Sequence, residues 1–152
     1  MPIKSFRGKL ANDTQETISL HTNNGSVGYK IKKFEVMQST DDDIEATLKI
    51  YTVRQTAQTN SIDFSDNTLI AAAYYSSSSS SQIYPEDKNI IFDNVTFNQD
   101  IYITLRCHNV AGDMNYHIEL EQVKLALDEN TVATLKDIRN IESASDRWNN
   151  II

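Results

Sequence analysis

Three histidines, one cysteine and a run of aspartates are the residues of this 152-residue chain whose chemistry could reach beyond packing. His108 and His117 flank the segment Ala111–Met114, which reads as a four-residue turn. Strands paired about that turn would set the two imidazoles opposite each other on the outer side of a hairpin. A zinc site needs at least three protein ligands. No third is evident, and His21 stands apart, so the pair is expected to face solvent. Asp41, Asp42 and Asp43 resemble part of a calcium loop but lack its central glycine and distal glutamate, which makes a solvated turn the expectation. Cys107 has no partner for an internal disulfide, and it lies on the apolar phase of a strand pattern. It reads as a small core hydrophobe. Tyr74, Tyr75 and Tyr84 flank six consecutive serines, Ser76 to Ser81, and tyrosines beside Ser-rich loops make recognition surfaces, so this is a candidate ligand-facing loop. Glycine-rich phosphate loops, G-x-S-x-G and C-x-x-C are absent. No catalytic residue, metal ligand or cofactor is assigned, and the chain is expected not to be an enzyme.

The elements that would carry these residues read as strands. Ile44, Ala46, Leu48 and Ile50 alternate with Glu45, Thr47 and Lys49, the period of a half-buried strand. Glu16 to Thr22 and Val27 to Met37 flank Asn24-Gly25 and predict a hairpin, because an Asn-Gly step supplies positive φ angles. The apolar phase switches at Lys32-Lys33, which predicts a β-bulge or a change of sheet. Leu69 to Tyr75, Ile90 to Phe92 and Val95 to Phe97 are further short strands, and the serine run is a loop tip. Ile101 to Leu127 predicts the strongest hairpin. Its register sets Cys107 opposite Ile118, Leu105 opposite Leu120 and Arg106 opposite Glu119, with a second phase shift before Val123 and Leu125.

Composition bounds the partners. Asn, Ser and Thr make up 41 of the 152 residues while glycine numbers four and proline two, which favours strands joined by uncharged polar loops over a helical bundle. The net charge is −7, and the only basic cluster in the linear sequence is Lys30, Lys32, Lys33 on one strand. Binding to nucleic acid, which requires basic patches, is therefore not expected. No apolar run approaches the roughly 20 residues that span a bilayer, so no membrane is expected either. The start, Met1 to Phe6, has no signal-peptide core and predicts synthesis in the cytoplasm.

Past Leu127 the character changes. Asp128 or Asn130 can cap a helix, and Val132, Leu135, Ile138 and Ile141 recur at three-residue steps, one face of a short helical segment. Trp148, Ile151 and Ile152 then place apolar side chains where termini are usually polar. These seven residues read as an interaction surface. The expected division is a β-sandwich domain over 1–127 and a C-terminal assembly segment, helical or extended, over 128–152.

The stretches Asn115-Tyr116-His117-Ile118-Glu119-Leu120-Glu121-Gln122-Val123-Lys124-Leu125 and Asn130-Thr131-Val132-Ala133-Thr134-Leu135-Lys136-Asp137-Ile138-Arg139-Asn140 resemble small virion proteins of marine tailed bacteriophages. Ser5-Phe6-Arg7-Gly8 and Gly28-Tyr29-Lys30-Ile31 add to the likeness, which covers about half the chain. The resemblance implies an all-β, antiparallel, jelly-roll-like sandwich. It also implies a structural role in the virion, as a capsid decoration or other particle-assembly protein made in the host cytoplasm. Its partners would be further copies of itself, as a homo-oligomer, and other virion proteins, the major capsid protein first. Contacts would run through the N-terminal arm, Met1 to Leu10, and the C-terminal segment. The alternative is a carbohydrate- or receptor-binding β-sandwich module reading its ligand with the tyrosine loop.

Overall fold

The computed structural model describes residues 2–20, 26–40, 43–77, 87–108 and 111–125. In chain order the strands are β1 (Ile3–Leu10), β2 (Thr14–Ile18), β3 (Val27–Gln38), β4 (Ile44–Tyr51), β5 (Leu69–Ser77), β6 (Asp87–Phe92), β7 (Ile101–Cys107) and β8 (Met114–Lys124). They form two antiparallel sheets, β1-β8-β3 and β2-β7-β4-β5-β6, and no helix occurs among the described residues. The C-terminal segment 128–152, including Val132, Leu135, Ile138, Ile141, Trp148, Ile151 and Ile152, lies outside the described residues.

Alternation decides the inward faces. From one sheet Phe34, Val36, Tyr116, Ile118 and Leu120 point into the core, and from the other Ala46, Leu48, Ile50, Ile103, Leu105 and Cys107; together they make one buried cluster. Each large aliphatic side chain moved out of water contributes about 1.5–3 kcal/mol, so this cluster is the dominant stabilising term. The bulge expected at Lys32-Lys33 is present: the ladder with β8 shifts between Ile31 and Lys33, which keeps Ile31 and Phe34 both inward.

Neither predicted hairpin forms. β7 pairs with β2 and β4, whereas β8 pairs with β1 and β3, so Cys107 lies beside Ala46, Leu105 beside Leu48, and Arg106 beside Thr47. β2 and β3 likewise belong to different sheets. The reason is that alternation specifies which side chains face inward, not which strand lies alongside. Cys107 and Ile118 do share the core, but from opposite layers rather than along one ladder. The expected N-terminal arm is also an integral edge strand, paired with β8 from Ile3 to Leu10. Ser76 and Ser77, expected in a loop tip, continue β5, and Ser78 to Ser81 lie outside the described residues.

The chain passes from β1 to β2, and so from one sheet to the other, in three residues. Asp13 adopts φ 64°, a left-handed conformation that Asp tolerates better than most residues. The Asn12 carboxamide accepts from the Cys107 N–H at 2.8 Å, and the Asp13 N–H donates to the Leu105 carbonyl at 2.9 Å. Two tyrosines then tie the layers together on opposite sides of the core. The Tyr116 ring from β8 lies over Gly8 of β1, where a Cβ would stand 3.0 Å from the ring, and its hydroxyl donates to Glu16 of β2 at 2.5 Å. Tyr75 of β5 donates to Gln38 of β3 at 2.7 Å. On that second side an isolated antiparallel bridge also joins Tyr29 to Phe97, and Lys88 of β6 meets Glu35 of β3 at 2.9 Å.

Gly28 sits where this bridge closes. A Cβ there would lie 2.8 Å from the Thr96 methyl and 3.3 Å from the Phe97 carbonyl oxygen. Gly28→Ala is expected to destabilise the protein by about 1–3 kcal/mol, the range for overpacking, with Thr96→Ser restoring part of the loss by removing the methyl. Urea unfolding of the single and double variants checks this, and a Gly28→Ala protein as stable as wild type would refute the close approach.

Candidate functional site

The outward side chains of β4 carry a polar cluster. Thr47 lies between Arg106 of β7 and Tyr74 of β5 on the outer surface of the five-stranded sheet. His108, the residue after β7, is held by its backbone N–H donating to the Glu45 carbonyl at 2.7 Å. Its Nδ1 stands 3.3 Å from Glu45 Oε1, and its Nε2 lies 2.8 Å from Thr47 Oγ1. The Tyr74 hydroxyl donates to Glu45 Oε2 at 2.8 Å, and its ring meets the imidazole edge-on at 5.7 Å. With hydrogen on Nδ1 the ring donates to Glu45 and its Nε2 accepts the Thr47 hydroxyl proton, for which the Asn60 carbonyl competes.

Hydroxyl, imidazole and carboxylate in this order are the parts of an activated nucleophile. Here, though, Thr47 is 0% exposed, and the Asn60 carbonyl closes over its hydroxyl at 3.4 Å. A reacting carbonyl has no path to Oγ1 in this arrangement. What the cluster does is fasten the end of β7 and the segment 52–68 to the sheet.

That segment explains a departure from the sequence pattern. β4 reads as half-buried, yet Thr47 and Lys49 on its outward side are both buried, because residues 52–68 cover them. Lys49 is 2% exposed, and its ammonium donates to Thr59 Oγ1 at 2.9 Å and to the Ser61 carbonyl at 2.7 Å. It also stands 5.5 Å from the Tyr51 ring centre. Burial pulls its pKa below the ordinary lysine value, partly opposed by the charge of Asp66. Two Asx turns stiffen the same segment: Asp63 accepts from Ser65, and Asp66 from Thr68.

The residues singled out from sequence are scattered by the fold. His108 and His117 sit in different sheets, so the outward-facing pair is not formed; His117 lies instead between Arg7 and Glu35. Tyr75 is 1% exposed in the core and unavailable to a ligand, because strand β5 turns it inward while Tyr74 points out. Cys107 is buried, and burial raises its pKa. His21, Asp41, Asp42 and Tyr84 lie outside the described residues. Among the described residues no three of His, Cys, Asp and Glu converge on a point that could hold a metal ion.

Sequence reading missed a second site, on the other sheet. A groove of about 830 Å³ runs over the outer face of β1-β8-β3, lined among others by Arg7, Lys33, Glu35, Met37, Asn115 and His117. Arg7 and Lys33 belong to different strands, and only the pairing of β1 and β3 with β8 makes them neighbours. Compared with known proteins, the chain matches no family model, no curated protein and no solved structure.

The titrating groups give opposite pH slopes. The hydrogen bond to Glu45 raises the Tyr74 pKa, burial raises that of Tyr75, and burial with the Glu16 contact raises that of Tyr116 well above the ordinary 10.0. The folded protein then holds phenol protons that the unfolded chain releases, so this contribution is complete below about pH 10 and falls above it, while that of the raised Cys107 thiol falls from about pH 9 upward. Lys49, with its folded value lowered, adds stability as pH rises towards its ordinary 10.5. Urea midpoints are expected to fall between roughly pH 9.5 and pH 11. Tyr116→Phe should flatten the fall; a wild-type profile that stays level across that interval contradicts the tyrosine assignments.

Proposed function

We propose that this protein is a non-enzymatic structural subunit of a virion, a capsid decoration or other particle-assembly component, built on a jelly-roll-like sandwich. The observation that carries the reading is the nesting of the strand pairs. β1 pairs with β8, β2 with β7 and β4 with β5, while Tyr29 of β3 bridges Phe97 just beyond β6. This order supports a jelly-roll reading, in which an antiparallel ribbon folds over on itself as in viral capsid and lectin domains, with β6 paired to β5 instead of β3.

Capsid and lectin readings share that framework, so the side chains must separate them. A lectin-like site would need its tyrosines free. Tyr75 is in the core, and Tyr74 is tied to Glu45 and stacked edge-on against His108. Thr47, whose hydroxyl lies beside an imidazole and a carboxylate, is sealed. Among the described residues the outer face of β1-β8-β3 is uncovered, which suits contact with large flat partners. The resemblance to phage virion proteins favours the same reading, with further copies of this chain and the major capsid protein as partners.

The apolar residues Val132, Leu135, Ile138, Ile141, Trp148, Ile151 and Ile152 supply the adhesive part in this reading. Deleting Ser143 to Ile152 is expected to lower the oligomer mass, or the amount bound to particles, while the β-rich circular dichroism and the thermal midpoint of the domain are kept. Light scattering after size exclusion, with a particle co-sedimentation assay, reads both. Unchanged mass and unchanged binding after the deletion would sink the proposal.

A further inference from the structure

The two sheets differ on their outer surfaces. The five-stranded sheet is covered by the chain's own segment 52–68, which buries Thr47 and Lys49. Among the described residues nothing comparable covers the three-stranded sheet. Its outer face carries Arg7 and Lys9 from β1 and Lys30 and Lys33 from β3, with Lys32 on the bulge, against Glu35, Glu119 and Glu121. One of these acids is already engaged, since Lys88 reaches Glu35 at 2.9 Å, and Lys9 stands 4.0 Å from Asp113. Arg7, Lys33 and His117 make no hydrogen bond or ion pair among the described residues, although all three line the groove. Beside them Met37 is 65% exposed. The face is thus cationic on a chain whose net charge is −7, so the rest of the molecule is more acidic than the total indicates.

The opposite character appears where segment 52–68 meets β6. A hollow of about 320 Å³ is lined by Phe64, Asp66, Asn67, Leu69, Ile91 and Asp93. Two acids stand there beside two exposed apolar side chains, Phe64 at 63% and Ile91 at 52%. One surface is basic with an exposed methionine, and the other is acidic with an exposed phenylalanine and isoleucine. They lie on different sheets of the same molecule, so they cannot meet within one chain.

We infer that the groove on β1-β8-β3 receives the Phe64/Asp66/Ile91/Asp93 surface of a second copy of this chain. The contact is heterologous, head to tail, with Asp66 and Asp93 facing Arg7 and Lys33, and Phe64 against Met37. Because the two patches differ, each subunit keeps one free after pairing, and repetition closes a ring or extends a row according to the rotation between neighbours. Complementary charge sets orientation and partner choice more than affinity, which leaves the apolar C-terminal residues their adhesive role. The inference rests on the reading that the chain self-associates, and it names the surfaces that do so.

The test uses the full-length chain. Wild type, Arg7→Glu/Lys33→Glu and Asp66→Lys/Asp93→Lys are compared by light scattering at low and high salt, with circular dichroism as the fold control. Wild type is expected to associate, and to do so at least about tenfold more weakly in ~0.5 M than in ~0.05 M salt, as screening of exposed charges requires. Each double variant alone should lose the head-to-tail contact and run at a lower mass than wild type. Their mixture should form a complex, because one variant keeps an intact hollow and the other an intact groove. The neutral pair Arg7→Gln/Lys33→Gln replaces the reversed one should that fail to fold. A groove variant with wild-type mass overturns the inference and leaves self-assembly standing on other contacts. Wild type that stays a single chain at every concentration and salt overturns the assembly reading, and this inference with it. Loss of polyphosphate binding in the groove variants, with their mass unchanged, would assign the groove to a polyanionic ligand and overturn the inference as well.

Discussion

The pairing of β8 with β1 on one side and β3 on the other is the contact from which the rest of the structure follows. β8 is the central strand of its sheet, and its inward residues Met114, Tyr116, Ile118 and Leu120 are all buried. The ladder with β1 joins residues near the start of the chain to residues after 113, so it closes a loop that holds most of the other strands. Strand pairs of such long sequence separation spend chain entropy before any contact repays it. Once made, they leave β2, β7, β4 and β5 a single inward face to cover. The Tyr116 hydroxyl shows the dependence in one side chain: it reaches Glu16 only because its ring can lie on Gly8 of the neighbouring strand.

Asymmetry between the sheets follows from what lies outside them. A buried ammonium is costly without hydrogen bonds, and Lys49 obtains two from Thr59 and Ser61. Those bonds fasten segment 52–68 over β4, and His108, Glu45 and Tyr74 hold the end of β7 to the same strand. The β1-β8-β3 sheet keeps its charged side chains in water instead. One sheet is therefore covered by its own chain, whereas the outer face of the other is uncovered among the described residues.

Ile44 to Ile50 were legible because strict alternation has one structural meaning, and the bulge at Lys32-Lys33 was legible because a phase switch inside a strand requires an extra residue. The strand pairing was not. Cys107 and Ile118 both face inward, and a hairpin register satisfies that as well as two opposed sheets do. The same ambiguity misplaced His108 and His117. The buried Thr47 and Lys49 carried no linear signal, since their burial comes from a loop of ordinary polar composition. Lys30, Lys32 and Lys33 read as a solvated basic strand, and nothing in the linear order linked them to Arg7 and Lys9.

The amino-acid sequence by itself determined the fold class, the inward face of most strands and the absence of the common catalytic motifs, because these depend on residue type and short-range period. Only the tertiary structure decided which strands lie side by side, which polar groups are sealed from water, and where charge accumulates. Those properties depend on contacts between distant segments, which alternation leaves open. The basic face on an acidic chain is the clearest instance: it exists only when β8 brings β1 and β3 to its two edges.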